Sequence, residues 1–232
     1  MTSERKTATI IGLLFIIAAV TSVIAIVLYG SILTDDNYVI MDTGNKDLVI
    51  AGAIFELFLA ASAIGTSITF FPILKKHNET LALGYVTFRF FEAVLIVTGA
   101  LALLTISSLN VLYVAGSITD TNTLVLLSKA LVILHDWTFI IGPNFMLGIN
   151  TSMYSYILYK SRIVPNPLSI LGRTAAALIF FSSFFEMFGF YTQVSFLGVF
   201  SALPIAVFEM SLAGYLIIKG FKEKELNSLL QS

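Results

Sequence analysis

Long apolar stretches separated by short polar ones set the pattern of this 232-residue chain. At least five of these stretches run for about twenty residues, enough for a helix to cross the roughly 30 Å hydrocarbon layer of a membrane. The spans fall at about 8–30, 48–71, 83–105, 138–160, 168–190 and 196–219. The pattern predicts an all-α, polytopic membrane bundle of about six transmembrane helices, forming one domain over residues 1–232.

The polar segments between the stretches predict where the helices end. Residues 31–47 and 106–123 predict two loops on one side of the membrane, and the second helix is expected to end at Pro72. From Leu124 to Lys160 a helix of about 1.5 Å per residue would extend over about 55 Å, which is too long for one perpendicular span. We expect an amphipathic lead-in along the interface and a kink at Gly142-Pro143.

Basic residues predict the orientation of the bundle. The side opposite the termini has Lys46, with Lys129 unassigned, whereas the side of the termini has Arg5, Lys6, Lys75, Lys76, Lys160, Arg162, Arg173, Lys219, Lys222 and Lys224. The positive-inside rule then places both termini in the cytoplasm, with the chain in the cell membrane. The residues expected to face outside are Asp35, Asp36, Asp42, Asp47 and Asp120.

Composition agrees with a membrane protein and narrows the chemistry. Hydrophobic residues make up 57% of the chain, and the mean hydropathy is +0.93. Charged residues make up 12%, whereas soluble domains carry about a quarter. The net charge of −1 provides no basic field for nucleic acid. The lack of cysteine excludes disulfides, thiolate zinc sites and iron–sulfur clusters.

Ionisable side chains inside the predicted spans are the main functional candidates, because each costs about 2.5–3.5 kcal/mol in the hydrocarbon unless it is paired, hydrated or neutral. Glu56 shares a helical stripe with small residues such as Gly52, and Glu186 lies beside Ser182 and Ser183. Small residues mark helix-packing faces, so both glutamates are expected to point into the bundle. We predict that they line an acidic cavity in its outer half.

Arg89, Glu92 and Glu209 form a second candidate group. Arg89 and Glu92 are i, i+3 neighbours that can pair within one helix, and Glu209 can share the guanidinium from another helix. We interpret this trio as a structural ion pair. Acids in the bundle still outnumber bases, so Glu56 or Glu186 is expected to be protonated, to bind a cation or to line a wet cavity. The alternative is a glutamate that only hydrogen-bonds a neighbouring helix.

The stretch LVILHDWTFIIGPNFMLGIN, residues 131–150, places four polar residues in a segment apolar enough to enter the membrane. In an unbroken helix Asp136 and Asn150 share a stripe, whereas His135 and Asn144 lie on opposite faces. We expect Asp136 and Asn150 to face inward and Asn144 to line the same cavity as the glutamates. His135 is a candidate if it lies near a carboxylate.

Metal and cofactor chemistry finds little support in the sequence. His77 and His135 are the only histidines, and no spacing matches a histidine zinc site or a haem ligand pair. No glycine-rich phosphate loop or nucleophile elbow is present. We therefore expect no metal and no cofactor. The minor alternative is a carboxylate-rich metal site built from Glu56, Glu186, Asp136 and His135.

Three segments carry a family resemblance: FRFFEA at 88–93, IGPNFMLGINTSMYSYILYKSRIVPNPLSILG at 141–172 and ALPIAVFEMSLAGYLIIKGF at 202–221. They resemble the family labelled domain of unknown function 4386, which consists of prokaryotic multi-pass membrane proteins. The resemblance extends along nearly the whole chain and implies a membrane location and six helices. It implies no activity, substrate or catalytic residue. The segments contain Arg89, Glu92, Asn144, Arg162, Pro165, Pro204, Glu209 and Lys219.

The sequence leaves three functions open. The favoured one is binding or transport of a small molecule or ion through an outward-opening acidic cavity lined by Glu56, His135, Asp136, Asn144, Asn150 and Glu186. The second is an intramembrane enzyme acting on a lipid or apolar substrate, and the third is a structural or partner-binding membrane protein. The expected partners are membrane lipid and a small apolar or cationic ligand, without nucleic acid. The sequence indicates no oligomeric state.

Overall fold

The computed structural model describes residues 3–41, 45–193 and 195–231, so Asp42 lies outside the described residues. Eight α-helices follow one another in this part of the chain: α1 Ser3–Thr34, α2 Lys46–Leu74, α3 Glu79–Val114, α4 Thr121–Phe139, α5 Leu147–Ser161, α6 Asn166–Met187, α7 Phe196–Ile218 and α8 Glu223–Gln231. A short 3-10 helix, Tyr38–Ile40, lies in the first loop, and a π-helix, Ile140–Met146, joins α4 to α5. The predicted all-α fold is confirmed.

Six helical segments are long and apolar enough to cross a membrane. They are α1, α2, α3, α6, α7 and the continuous segment Thr121–Ser161 that contains α4, the π-helix and α5. The predicted number of spans is therefore confirmed. Helix α2 continues through Pro72 to Leu74, since a proline near the end of a helix interrupts little of the hydrogen-bonding that follows it.

The six spans form a closed ring in chain order. α1 packs on α2, α2 on α3, and α3 on the long α4–α5 segment. α5 packs on α6, α6 on α7, and α7 returns to α1. Each helix thus buries one face against two neighbours. Its opposite face carries exposed apolar side chains, for example Val27, Leu126 and Phe181.

The start of α1 and the end of α7 lie at one end of the ring, which we call the termini end. The Arg5 guanidinium donates hydrogen bonds to the carbonyls of Leu216 at 3.0 Å and Ile218 at 2.9 Å, so the start of α1 contacts the end of α7. The opposite end, which we call the loop end, carries the first loop. Lys129 lies there, because its Nζ is 2.9 Å from Oδ2 of Asp36.

The second predicted loop, residues 106–123, is wrong over most of its length. α3 continues to Val114 and α4 begins at Thr121, which leaves a short connection. Of the polar residues that suggested a loop, Ser108 donates to the Leu104 carbonyl within α3, and Asn110 contacts the first loop. The Asn110 side-chain nitrogen lies 3.2 Å from the carbonyls of Tyr38 and Val39 and 2.7 Å from that of Met41. This extension of α3 therefore holds the first loop in place.

The irregularity expected at Gly142-Pro143 takes the form of the π-helix. Proline lacks an N–H, and in an α-helix its ring clashes with the carbonyl four residues earlier. A π-turn is wider, because it adds one residue to the turn. One added residue rotates everything that follows by roughly 100° relative to an unbroken helix. This rotation decides which polar residues face the inside of the ring.

Aromatic side chains fill the interior of the ring toward the termini end. The Tyr154 ring on α5 lies at the centre, with its centroid 6.2 Å from those of Phe15 and Phe70, 5.0 Å from that of Tyr85 and 5.9 Å from that of Phe208. All five side chains are at most 1% exposed. We call this group the aromatic layer.

Candidate functional site

Buried acids lie on three different helices of the ring. Glu56 on α2 is 1% exposed, Glu92 on α3 is 4% exposed and Glu186 on α6 is 6% exposed. The segment from α4 to α5 places one buried polar residue near each of the three acid sites: His135, Asn144 and Asn150. The polar residues of one helix are thus distributed among three separate clusters.

Tyr29, Glu56 and His135 form the first cluster, which we call the Glu56 cluster. The Tyr29 hydroxyl donates a 2.8 Å hydrogen bond to Oε2 of Glu56. The His135 ring lies edge-on to the Tyr29 ring, with centroids 6.1 Å apart. Neither His135 nitrogen nor Glu56 Oε1 makes a hydrogen bond within the described chain, although Nδ1 of His135 lies 3.5 Å from Oδ1 of Asp136. Hydrogen-bonding capacity therefore remains unused inside this cluster.

Two glycines allow the helices to approach closely enough to build the Glu56 cluster. A Cβ atom on Gly52 would lie 2.6 Å from the Tyr29 ring. A Cβ atom on Gly99 would lie 2.6 Å from Oγ1 of Thr138 and 3.2 Å from the His135 ring. The two 2.6 Å distances are too short for any residue other than glycine unless a neighbour moves. Gly52 therefore allows the Tyr29 ring to pack against α2, and Gly99 allows α4 to pack against α3.

Asn144 and Glu186 define the second cluster, together with Ser182 and Tyr191. The Asn144 amide donates to Oε2 of Glu186 at 2.7 Å, and the Ser182 hydroxyl donates to Oε1 at 3.1 Å. The Tyr191 hydroxyl lies 2.8 Å from that of Ser182. Both oxygens of the Glu186 carboxylate therefore accept hydrogen bonds, whereas in Glu56 only Oε2 does.

The third cluster, the Arg89 cluster, contains the only close ion pair between buried side chains among the described residues. Nη1 of Arg89 lies 3.0 Å from Oε2 of Glu92, and the Asn150 amide donates to the same oxygen at 2.7 Å. Nη2 of Arg89 lies 4.0 Å from Oε1 of Glu209, whose side chain is 15% exposed. The predicted pairing of Arg89 with Glu92 is confirmed, and Glu209 stands at the limit of ion-pair distance.

The Arg89 cluster rests on the aromatic layer. The hydroxyl groups of Tyr85 and Tyr154 lie within electrostatic range of Arg89 and Glu209. Neither hydroxyl makes a well-formed hydrogen bond in the described chain. The polar region of the ring thus borders directly on the aromatic side chains of the termini end.

The inward orientation predicted for Asp136 is wrong. Its side chain is 62% exposed, whereas the neighbouring His135 side chain is 7% exposed. The prediction assumed an unbroken helix, in which His135 and Asn144 are opposed. The roughly 100° rotation introduced by the π-helix brings Asn144 and His135 to within about 80° of each other, and both become buried. The inward orientation of Glu56, Asn150 and Glu186 is confirmed by their burial.

Sequence reasoning missed the residues that bind the acids. Tyr29 appeared to be an ordinary member of an apolar stretch, and Tyr191 a member of the connection after the fifth span. Ser182 was recognised as a small neighbour of Glu186 but not as its hydrogen-bond donor, and Asn150 gave no sign that Glu92 was its partner. A tyrosine opposite a glycine in the next helix, as with Tyr29 and Gly52, is the sequence signal that could have suggested the first contact. The other contacts depend on helix rotation, which hydropathy does not report.

The predicted cavity residues do not form one site. They divide among the three clusters, and Asp136 is exposed. No group of three or more His, Asp or Glu side chains in the described chain is placed to hold a metal ion. Four surface grooves are described by volumes of about 1010, 230, 220 and 530 Å³, and their walls contain none of the predicted cavity residues. The role of those residues in lining a cavity stays a prediction.

The ring of apolar helices with polar clusters inside it defines a multi-pass helical membrane protein. The comparisons with known proteins place it more narrowly. The chain belongs to the family described as domain of unknown function (DUF4386), whose family model matches residues 10–220. No curated protein and no solved structure matches the chain.

Proposed function

We propose that the protein binds a small cation inside its helical ring, at the Glu56 cluster, as the binding step of transport. The observation that carries the proposal is the unused hydrogen-bonding capacity of this cluster. Glu56 Oε1 on α2 and both ring nitrogens of His135 on α4 are buried without hydrogen bonds in the described chain, and Tyr29 contacts both residues. Buried polar groups normally have hydrogen-bond partners, and a buried group without one requires an explanation such as a catalytic role or a bound ion. A bound cation would satisfy the carboxylate oxygen.

The balance of buried charge favours a cation over an anion. The described interior contains three buried acids, Glu56, Glu92 and Glu186, but one buried arginine. That arginine, Arg89, already pairs with Glu92. An ionised carboxylate in a low-dielectric interior requires a proton or another positive charge nearby. The aromatic faces of Tyr29 and of the residues packed on His135 also attract cations.

The arrangement of the ring supports one-sided access. The Glu56 cluster lies toward the loop end, where Asp136 is exposed beside His135 and provides a negative charge at the surface. The aromatic layer fills the ring on the other side. Transport of the bound cation therefore requires that this layer opens, as in alternating access.

The test is a set of thermal unfolding measurements on the purified protein in micelles. Sodium, potassium and methylammonium chlorides are titrated against choline chloride at constant ionic strength. A cation at about 100 times its Kd stabilises the folded state by about 2.7 kcal/mol. We expect one of these cations to raise the Tm of the wild type but not that of Glu56→Gln. Glu186→Gln is the matched control, since it removes a buried charge from another cluster.

A second arm covers the proton, the smallest cation. Proteoliposomes that contain a trapped pH dye are energised with potassium and valinomycin, and proton uptake is followed in wild type and Glu56→Gln. If no cation raises the Tm in a Glu56-dependent manner and no Glu56-dependent proton uptake occurs, the proposal is wrong. If the Glu186→Gln control also loses the response, the site is not the Glu56 cluster.

For orientation, we propose a cell-membrane location with both termini in the cytoplasm, supported by the basic residues at the termini end. The chain has no cysteine, so a single introduced thiol reports its own side of the membrane. Ser117→Cys near the loop end should react with an impermeant maleimide on intact cells. Ser228→Cys in α8 should react only after the cells are opened, and the reverse result would invert the topology.

A further inference from the structure

The largest described groove lies at the termini end, away from the three acid clusters. It has a volume of about 1010 Å³ and runs between the start of α3, the end of α5 and the start of α6. Its polar walls come from Asn78, Thr80, Ser152, Arg173 and Thr174. A volume of this size is at the upper end of those that hold small ligands.

One residue that lines this groove, Arg173, makes cation–π contacts with two tyrosine rings. The Arg173 guanidinium lies 5.0 Å from the ring centroid of Tyr159 and 5.9 Å from that of Tyr156. Nζ of Lys160 also lies over the Tyr156 ring, 5.8 Å from its centroid. Stacking restricts the guanidinium and leaves its N–H groups free to bind an anion in a fork geometry. None of the lining residues is acidic.

The rest of the groove is apolar and narrows between two helices. Leu81, Met153 and Ile170 line it, and Ile170 is 50% exposed. A Cβ atom on Gly84 would lie 2.8 Å from Sδ of Met153, so α3 and α5 approach closely beneath the groove. The groove thus has a cationic, hydroxyl-bearing part and an apolar part within one continuous wall.

We propose that this groove holds one anionic phospholipid, taken from the leaflet at the termini end. Arg173 binds the phosphate, the hydroxyls of Thr80 and Thr174 complete the headgroup contacts, and an acyl chain lies along Leu81 and Ile170. Charge complementarity selects the anionic headgroup, because the termini end as a whole is basic and the groove contains no acid. The proposal does not depend on cation binding at the Glu56 cluster.

The test measures lipid retention by native mass spectrometry on the purified full chain. The probes are dioleoyl phosphatidylglycerol, dioleoyl phosphatidylcholine and glycerol 3-phosphate. We expect one retained phosphatidylglycerol per chain and a preference over phosphatidylcholine of about tenfold, or about 1.4 kcal/mol. Both lipids carry the phosphate, but phosphatidylcholine also carries an ammonium group that the Arg173 guanidinium repels. Arg173→Gln should remove this preference, and Arg173→Lys should retain part of it. Lys224→Gln, which removes a cation outside the groove at the same end, should leave it unchanged.

A steric variant tests the apolar part separately. Ala177 lines the groove one helical turn after Arg173, and Ala177→Phe fills it without touching the charge. This variant should weaken retention of both lipids, while its Tm shows that it is folded. Equal losses for Arg173→Gln and Lys224→Gln would mean general attraction to the basic end and would overturn the proposal. Glycerol 3-phosphate binding as tightly as the lipid would do the same, since the ligand would then be a soluble phosphate.

Discussion

Replacement of Arg89 by methionine should destabilise the protein more than any other single change in the ring. The side chains of Arg89 and Glu92 are 4% and 5% exposed, so water screens their interaction very little. Without Arg89, Glu92 keeps only the 2.7 Å bond from Asn150, and Glu209 loses the cation that lies 4.0 Å away. Removal of one partner from a buried ion pair typically costs about 3–5 kcal/mol.

A double-mutant cycle separates this cost from the loss of packing. Glu92→Met alone leaves Arg89 beside Glu209, and the double variant Arg89→Met with Glu92→Met removes both buried charges of the pair. Because replacement of a whole buried pair by apolar side chains is often nearly neutral, the double variant should be more stable than Arg89→Met alone. The expected coupling energy is about 1–3 kcal/mol.

The measurement is reversible unfolding by SDS in mixed micelles, monitored by circular dichroism. All variants are compared in the same lipid-free detergent mixture. The reasoning would be refuted by a loss of less than about 1 kcal/mol for Arg89→Met, since a surface pair costs no more than that. It would equally be refuted by strict additivity in the cycle, because contacting charges must couple.

Three further changes test other parts of the structure. Gly172→Ala, which places a Cβ 2.4 Å from an α7 phenylalanine ring, should cost about 1–3 kcal/mol in SDS unfolding, while Gly214→Ala, with no atom within 4 Å, should be neutral or stabilising. Asn110→Ala should cost about 1–3 kcal/mol and speed proteolysis of the first loop. A hydrogen bond from the Thr123 hydroxyl lowers the pKa of Asp120, so this cap stabilises α4 above about pH 4 and is lost as pH falls further. Hydrogen-exchange protection of the first turn of α4 should show that loss, and Asp120→Asn should not.

Hydropathy predicted the number of spans because a backbone in lipid must satisfy its own hydrogen bonds, so each crossing leaves a long apolar run in the sequence. It did not predict that α3 extends to Val114. The Asn110 side chain there contacts carbonyls of a loop about seventy residues earlier, and such a tertiary contact leaves no periodic signal. Polar residues near a helix end therefore appeared to form a loop.

The sequence also identified which acids are buried but not what binds them. Small neighbours correctly indicated that Glu56 and Glu186 point inward. Their partners, Tyr29 and Asn144, lie on other helices, and the pairing depends on how each helix is rotated about its axis. One π-helical turn changes that rotation, so an error in local geometry becomes an error about the site.

The π-helix explains how one span can serve three acids. Fifteen residues separate His135 from Asn150, or about 22 Å along a helix of 1.5 Å per residue, so the span passes all three clusters in turn. On an unbroken α-helix, Asn144 would oppose His135, and at least one of these two polar side chains would face lipid. The widened turn brings both inside, and Asn150 follows them toward Glu92. Because each contact is with a different helix, the three together fix both the rotation and the depth of the α4–α5 segment within the ring.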